Sequence, residues 1–191
     1  MSLERAPLYL ALVHYPVLNR RSEIIASAIT NLDLHDLGRT ACTYDVPACY
    51  IVTPLADQQA LARELIRHWC EGAGREIHPD RATALERLRI MESIEEACRD
   101  IERAHGMAPR LWATSAGEHK EALPICEARG LLAENGKPTL LLLGTGWGLA
   151  PSSRADADAV LEPIRGLNGY NHLSVRCAAA ILLDRLLAPR C

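Results

Sequence analysis

The stretch Leu140–Ser153, LLLLGTGWGLAPSS, sets four consecutive leucines directly before a glycine-rich turn. A short continuous apolar run that ends in glycines reads as a strand covered on both faces, and such strands belong to sheets with helices on either side. The strand is expected over Thr139–Leu143. Gly144, Gly146 and Gly148 then permit close backbone approach above the strand end. Such a turn either connects core elements tightly or holds a ligand. A dinucleotide fingerprint would need GxGxxG, a helix opening at the loop and an acidic residue about 20 positions later. Here the pattern is GxGxG, and Pro151, Ser152 and Ser153 follow it in place of a long helix. Glu162 does fall near the acidic position, but the loop comes late in the chain, whereas the fingerprint belongs at the first strand–helix turn.

The rest of the chain alternates between strand and helix patterns. Leu8–His14 reads as a buried strand, Glu23–Thr30 as a second, and Asn31–Tyr44 as a helix with Asp33 near its start. Cys49–Val52 is a short strand stopped by Pro54. Ala56–Cys70 is an amphipathic helix with Leu61, Leu65, Ile66 and Trp69 on one face, ended by Gly72 and Gly74. Arg81–Leu88 reads as a helix and Arg89–Met91 as a strand; a helix over Ser93–Ala104 is announced by the capping-box pair Ser93 and Glu96. Leu111–Thr114 is a strand, Glu121–Glu134 contains a helix broken at Pro124 or Gly130, Val160–Ile164 is a short strand, and Asn171–Leu187 is the last helix. This alternation predicts a single α/β domain over 1–191, Rossmann-like, with a mostly parallel sheet.

Composition narrows the function classes. The chain has 191 residues and a net charge of −3, so it is no polycation suited to unspecific nucleic-acid binding, although a local patch can act within a neutral whole. No stretch approaches the ~20 apolar residues that span a bilayer, and the apolar run Leu8–Val13 is too short for a secretion signal, so a cytoplasmic location is expected and no membrane partner. Seven cysteines, an odd number without a CxxC, are expected as free thiols, with Cys177 a small buried hydrophobe. Asp33, His35 and Asp36 lie at spacings that do not converge on one helix, so no metal site is expected.

Two further segments stand out. LEPIRGLNGYNHLSVRCAAAILLDRL joins a loop rich in Gly and Asn to a helix that is apolar nearly all round; Asn171 or Ser174 can cap it, and its first N–H groups are free for a ligand. TNLDLHDLGRTACTY holds Asn31, Asp33 and the run Gly38–Arg39–Thr40–Ala41. A lone arginine on a helix is ordinarily solvated or ion-paired.

Taken in this order, the three segments resemble the SPOUT superfamily of trefoil-knotted, S-adenosylmethionine-dependent RNA methyltransferases. Asn31–Ala41 resembles the first motif of its SpoU branch, with Gly38 directly before Arg39 as a departure in spacing. LLLLGTGWGL resembles the second, with Trp147 in a region where SpoU proteins usually carry Glu. PIRGLNGYNHLSVRCAAAILLDRL resembles the third. HYPVLNR, TNLDLHD and GTGWGL carry a closer resemblance to small stand-alone bacterial members. The resemblance implies a deep C-terminal knot over about 110–191, S-adenosylmethionine as cofactor, tRNA or rRNA as substrate, and a homodimer packed through the last helix. Three loops, Ala113–Gly117, Leu143–Gly148 and Ile164–Ser174, would clasp the cofactor. The binding residues expected are Thr114, Ser115, Leu143, Gly144, Thr145, Gly146, Gly148, Ile164, Gly166, Tyr170, Asn171, Leu173 and Ser174. Arg39 is the catalytic candidate, binding a target phosphate or positioning the nucleophile, with Asn31 and Asp33 beside it, and the dimer that the resemblance implies brings it to the partner's cofactor pocket. Asp33 has two competing readings, a general base or a residue answering the helix dipole. His14 and His172 are expected as structural or rim residues. The alternatives are a nicotinamide-dependent oxidoreductase using GTGWG and a non-catalytic nucleotide or RNA binder.

Overall fold

The computed structural model describes residues 5–134 and 136–189. Cys191 lies outside them. The elements in chain order are β1 (Leu8–Val13), β2 (Val17–Leu18), β3 (Ile24–Ile25), α1 (Asn31–Thr43), β4 (Cys49–Val52), α2 (Ala56–Cys70), α3 (Ala73–Ile77), α4 (Pro79–Leu85), β5 (Leu88–Met91), α5 (Ile94–His105), β6 (Arg110–Ala113), α6 (Ile125–Ala133), β7 (Thr139–Gly144), α7 (Pro151–Ala155), β8 (Ala159–Val160) and α8 (Val175–Leu187). Six strands form one sheet in the order β5-β4-β1-β7-β6-β8, and every neighbouring pair is parallel. β2 and β3 form a separate antiparallel pair.

The apolar runs are explained by burial on both sheet faces. Along β1, Leu8, Leu10 and Leu12 point into one core with Leu141 and Leu143 of β7 and Leu182, Leu183 and Leu186 of α8. Tyr9, Ala11 and Val13 point into the opposite core with Leu140, Leu142, Ala97 and Ile101. The period-2 alternation of a half-solvated strand is therefore absent from both strands.

Several expectations change in detail. Glu23–Thr30 is not a strand: only Ile24–Ile25 pairs, with Val17–Leu18, and the chain then runs as a loop to Thr30. The Val160–Ile164 strand shortens to Ala159–Val160 plus a bridge from Leu161 to Leu123, and Pro163 has no N–H to continue a ladder. The last helix begins at Val175, capped by Ser174 and not by Asn171. On α2, Leu61 is exposed, and only Leu65, Ile66 and Trp69 of the expected face pack on the core. Ser93 caps α5 as expected, but Glu96 reaches the Glu92 N–H instead of the cap residue's own. The complete capping box is at α1, between Thr30 and Asp33. Cys177 is exposed, contrary to expectation, because α8 turns Ala179, Leu182 and Leu183 inward.

Gly38 has a packing reason. A Cβ there would lie 2.8 Å from the Ala84 carbonyl oxygen, so α1 and α4 cross at a distance only glycine allows. Gly38→Val is expected to destabilise the chain by about 1–3 kcal/mol, read as a lower urea midpoint; an unchanged midpoint would contradict the close crossing.

Candidate cofactor cleft

Residues following the carboxyl ends of β6 and β7, together with the segment leading into α1, enclose a cleft of about 530 Å³, within the range of ~300–1,000 Å³ common for small-molecule sites. In parallel α/β sheets ligands settle at this end of the strands, where connections leave in opposite directions. β1 lies at such a position, with β4 and β7 on its two sides.

Three chain segments after strands supply most of the lining: Thr114–Gly117 after β6, Leu143–Leu149 at the end of β7, and Ile164 with Asn171–Val175 before and at the start of α8. Thr114, Ser115, Leu143, Gly144, Thr145, Gly146, Gly148, Ile164, Asn171, Leu173 and Ser174 all line it. Gly166 and Tyr170 do not; both are exposed on the loop between them, where the Tyr170 ring meets His172 at 5.4 Å. Asn171 Nδ2 donates to the Ala116 carbonyl (2.8 Å), tying the first loop to the third.

A fourth segment contains Asp33, a candidate from the sequence, together with Ser27, Ala28 and Thr30, which the sequence did not single out. Ser27, Ala28, Thr30 and Asp33 close the cleft from the β1–α1 side. The signal present for it was the spacing Thr30-x-x-Asp33, a capping pattern that fixes where α1 starts. Arg154 and Glu162 also line the cleft but are held by backbone: the Arg154 guanidinium donates to the Leu149 carbonyl, and Glu162 Oε1 accepts from the Ile125 N–H.

Asp33 is buried at the cleft wall with both oxygens engaged. Oδ2 accepts from the Thr30 hydroxyl (2.6 Å) and Oδ1 from Arg176 Nη1 (2.8 Å), while Arg176 Nε reaches Asp36 at 3.1 Å. This arrangement ties the start of α1 to the first turn of α8 and engages the carboxylate in that work. Asn31 and Arg39 are exposed and stand outside the cleft. Arg39 borders a separate hollow with Ile77, His78, Pro79, Asp80 and Arg81. One chain therefore brings Asp33, but not Arg39 or Asn31, to the cleft.

The glycine turn is shaped by the protein itself. A Cβ at Gly144 would lie 2.4 Å from the Leu149 nitrogen. At Gly146, with φ +59°, it would lie 2.7 Å from the Leu18 carbonyl oxygen. The side chain added by Gly146→Val therefore points at β2.

His14 is fully buried where β1 ends, with Nδ1 2.9 Å from Ser27 Oγ. Burial holds its pKa down to about 4, against a smaller upward pull from Asp33.

The sequence profile of a family described as SAM-dependent RNA methyltransferase matches residues 7–188. A protein of Oleidesulfovibrio alaskensis named tRNA (guanine-N(1)-)-methyltransferase is 49% identical over 180 residues, which are 94% of this chain and 42% of that protein. The chain thus spans less than half the length of that relative. An uncharacterized protein of Aquifex aeolicus is 34% identical over 180 residues, 94% of this chain and 88% of that one. Among solved structures, the SpoU methyltransferase AviRb from Streptomyces viridochromogenes superposes with a TM-score of 0.59 at 16% identity, covering 97% of this chain and 60% of that one, a similarity of fold.

Two outcomes are expected. Gly146→Val lowers the unfolding free energy by about 2 kcal/mol or more, seen in denaturant titration; a variant of full stability that only loses ligand binding would reverse this assignment. For His14 the folded pKa lies below the unfolded one, so the unfolded chain binds the extra proton between about pH 6.5 and pH 4. His14 therefore contributes stability above pH 6.5 that is lost on acidification, with a slope of up to about 1.4 kcal/mol per pH unit. Comparing the pH dependence of stability with that of His14→Asn checks it: the variant's curve is shallower by this amount.

Proposed function

The chain belongs to the SAM-dependent RNA methyltransferase family, and from that premise we propose that the cleft binds S-adenosylmethionine and that the protein methylates RNA, with tRNA as the substrate class. The observation that carries the reading is the convergence on one cleft of the loops after β6 and β7 and the segment entering α8. The family assignment leaves the oxidoreductase alternative without support. Bound there, the cofactor would supply a methyl group on a sulfonium, whose transfer depends on alignment more than on covalent help. Ser115, Thr145, Gly148, Asn171 and Ser174 would hold it, with Leu143, Ile164 and Leu173 as apolar surface. The cleft is lined by both polar and apolar groups, as a nucleoside joined to an amino acid requires.

Substrate binding by Arg39 is proposed to occur across a homodimer. Intrachain packing buries Leu182, Leu183, Leu186 and Leu187 of α8 but leaves Leu173 and Cys177 exposed and Ala180 and Ile181 half-buried. Trp147, Leu167 and Tyr170 are also exposed near the cleft mouth or on the loop that leads to it. An apolar surface of this extent suits an interface, and a two-fold partner could carry its Arg39 to this cleft. A C-terminal knot over about 110–191 is part of the same reading, supported by the common fold with a SpoU methyltransferase. A cytoplasmic location fits an RNA substrate.

Calorimetry with S-adenosylhomocysteine and with NAD tests the cofactor: the first is expected to bind and the second not. Methyl transfer to tRNA from labelled donor is expected for the native chain and is expected to fall by about 2–4 kcal/mol of activation free energy in Arg39→Ala with cofactor affinity unchanged. Light scattering is expected to report twice the 21.0 kDa chain mass; a fully active monomer would refute the shared site.

A further inference from the structure

The hydroxyl groups that line the cleft are polarised, and their proton positions follow by elimination. Thr145 Oγ1 lies 3.0 Å from the Val13 carbonyl, which can only accept, so the Thr145 proton is committed there. Ser27 Oγ lies 2.5 Å from Thr145 Oγ1; with the Thr145 proton used, Ser27 is the donor. His14 Nδ1 lies 2.9 Å from Ser27 Oγ; with the Ser27 proton used, Nδ1 carries the hydrogen and donates. In a neutral imidazole this leaves Nε2 bare, and Nε2 is a buried atom with no partner among the described residues. A buried acceptor without a partner is tolerated more readily than an orphaned N–H, so the chain of donors closes in one direction. Thr30 follows the same rule: its hydroxyl donates to Asp33 Oδ2 at 2.6 Å.

The opposite loops differ. Ser115 Oγ accepts from the Gly117 N–H (3.0 Å) and Ser174 Oγ from the Cys177 N–H (3.2 Å). Neither hydroxyl donates to another group among the described residues, so both protons remain for a ligand.

We propose that Ser27, Thr30 and Thr145 form an acceptor-only subsite of the cleft that receives an N–H-bearing group of the bound molecule, with His14 as the positioning residue that fixes its proton pattern. The proposal rests on the reading of the cleft as a cofactor site. An N–H group can come from the cofactor, through its adenine amine or its ammonium, or from the target nucleobase. A phosphate or carboxylate, which would bring only acceptors, is excluded from this end and directed toward Ser115 and Ser174.

The proton pattern can be tested without ligand. Nitrogen NMR of the free chain at neutral pH is expected to show His14 in the Nδ1–H form; the Nε2–H form would overturn the subsite whatever the cleft binds. The ligand class is tested by calorimetry with S-adenosylhomocysteine, S-inosylhomocysteine, in which a carbonyl replaces the adenine amine, and the desamino analogue, which lacks the ammonium. If the donor is the cofactor's, one analogue binds the native chain about tenfold more weakly, the worth of one hydrogen bond, and Ser27→Ala erases that difference. If it is the nucleobase's, both analogues bind like the parent, and Ser27→Ala lowers turnover on tRNA about tenfold at saturating cofactor. Thr145→Val serves the same purpose if Ser27→Ala fails to fold. His14→Leu is expected to reproduce the loss, and His14→Asn, which keeps an N–H near the Nδ1 position, to restore it; an Asn variant as deficient as the Leu variant removes His14 from the role. Equal binding of all three compounds by native and Ser27→Ala chains, with unaltered turnover, overturns the subsite. Failure of the native chain to bind S-adenosylhomocysteine overturns instead the cofactor reading beneath it.

Discussion

The structure depends first on the parallel pairing of β1 with β7. These strands are buried on both faces and run in register from Leu8 opposite Thr139 to Val13 opposite Gly144. Their shared register ends both strands at one level, so the Val13 carbonyl receives both the N–H and the hydroxyl of Thr145. A slip of one residue would invert every side chain between the two cores and would take Thr145 away from Val13 and Ser27. The cleft is thus a consequence of strand packing before it is a property of any loop.

A second tie acts on the other side. Asp33 and Arg176 join the start of α1 to the start of α8 across a sequence separation of 143 residues. Asp33 is almost fully buried and Arg176 about a quarter exposed. Such a pair costs desolvation, and its stabilising value is modest. Its effect here is geometric: it holds the segment carrying Ser27 and Thr30 against the segment carrying Asn171 and Ser174, so that the hydroxyl groups of opposite proton polarity face one space. The glycines of the turn serve the same end. Those at 144 and 146 let backbone meet backbone at Leu149 and Leu18, and the cleft-lining surface of the turn is what that contact leaves outward.

The relatives bear on how widely this unit is used. The family profile runs over almost the whole chain, including every segment of the cleft. The Oleidesulfovibrio alaskensis protein has more than twice this length, whereas the Aquifex aeolicus protein is nearly coextensive with the match. Sequence similar to this chain therefore occurs both within a longer protein and in one of similar size.

The class of fold was legible in the sequence because burial on both faces leaves a direct mark: unbroken apolar runs at Leu8–Val13 and Leu140–Leu143, separated by helical periodicity. Most of the loops that line the cleft were legible too, since glycine and the cap at Ser174 are local chemistry, and the family resemblance grouped them. What only the tertiary structure decided was which residues meet. Ser27 carried no local sign of a site, and the capping spacing of Thr30 and Asp33 marked only where α1 starts; both residues join the cleft because β1 pairs with β7 and the loop folds back so that the Ser27 N–H meets the His14 carbonyl. Gly146 looked like an opening for a ligand, but its missing Cβ is a space for Leu18. Arg39 stood in a recognisable motif, yet helix geometry points it away from its own chain's cleft. The apolar belt of α8 showed that the helix is covered on most sides, but only packing revealed which half the chain itself covers. Sequence records the local preference of each residue for strand, turn, cap or burial; the register of distant strands is a property of their packing, and the composition of the cleft follows from that register.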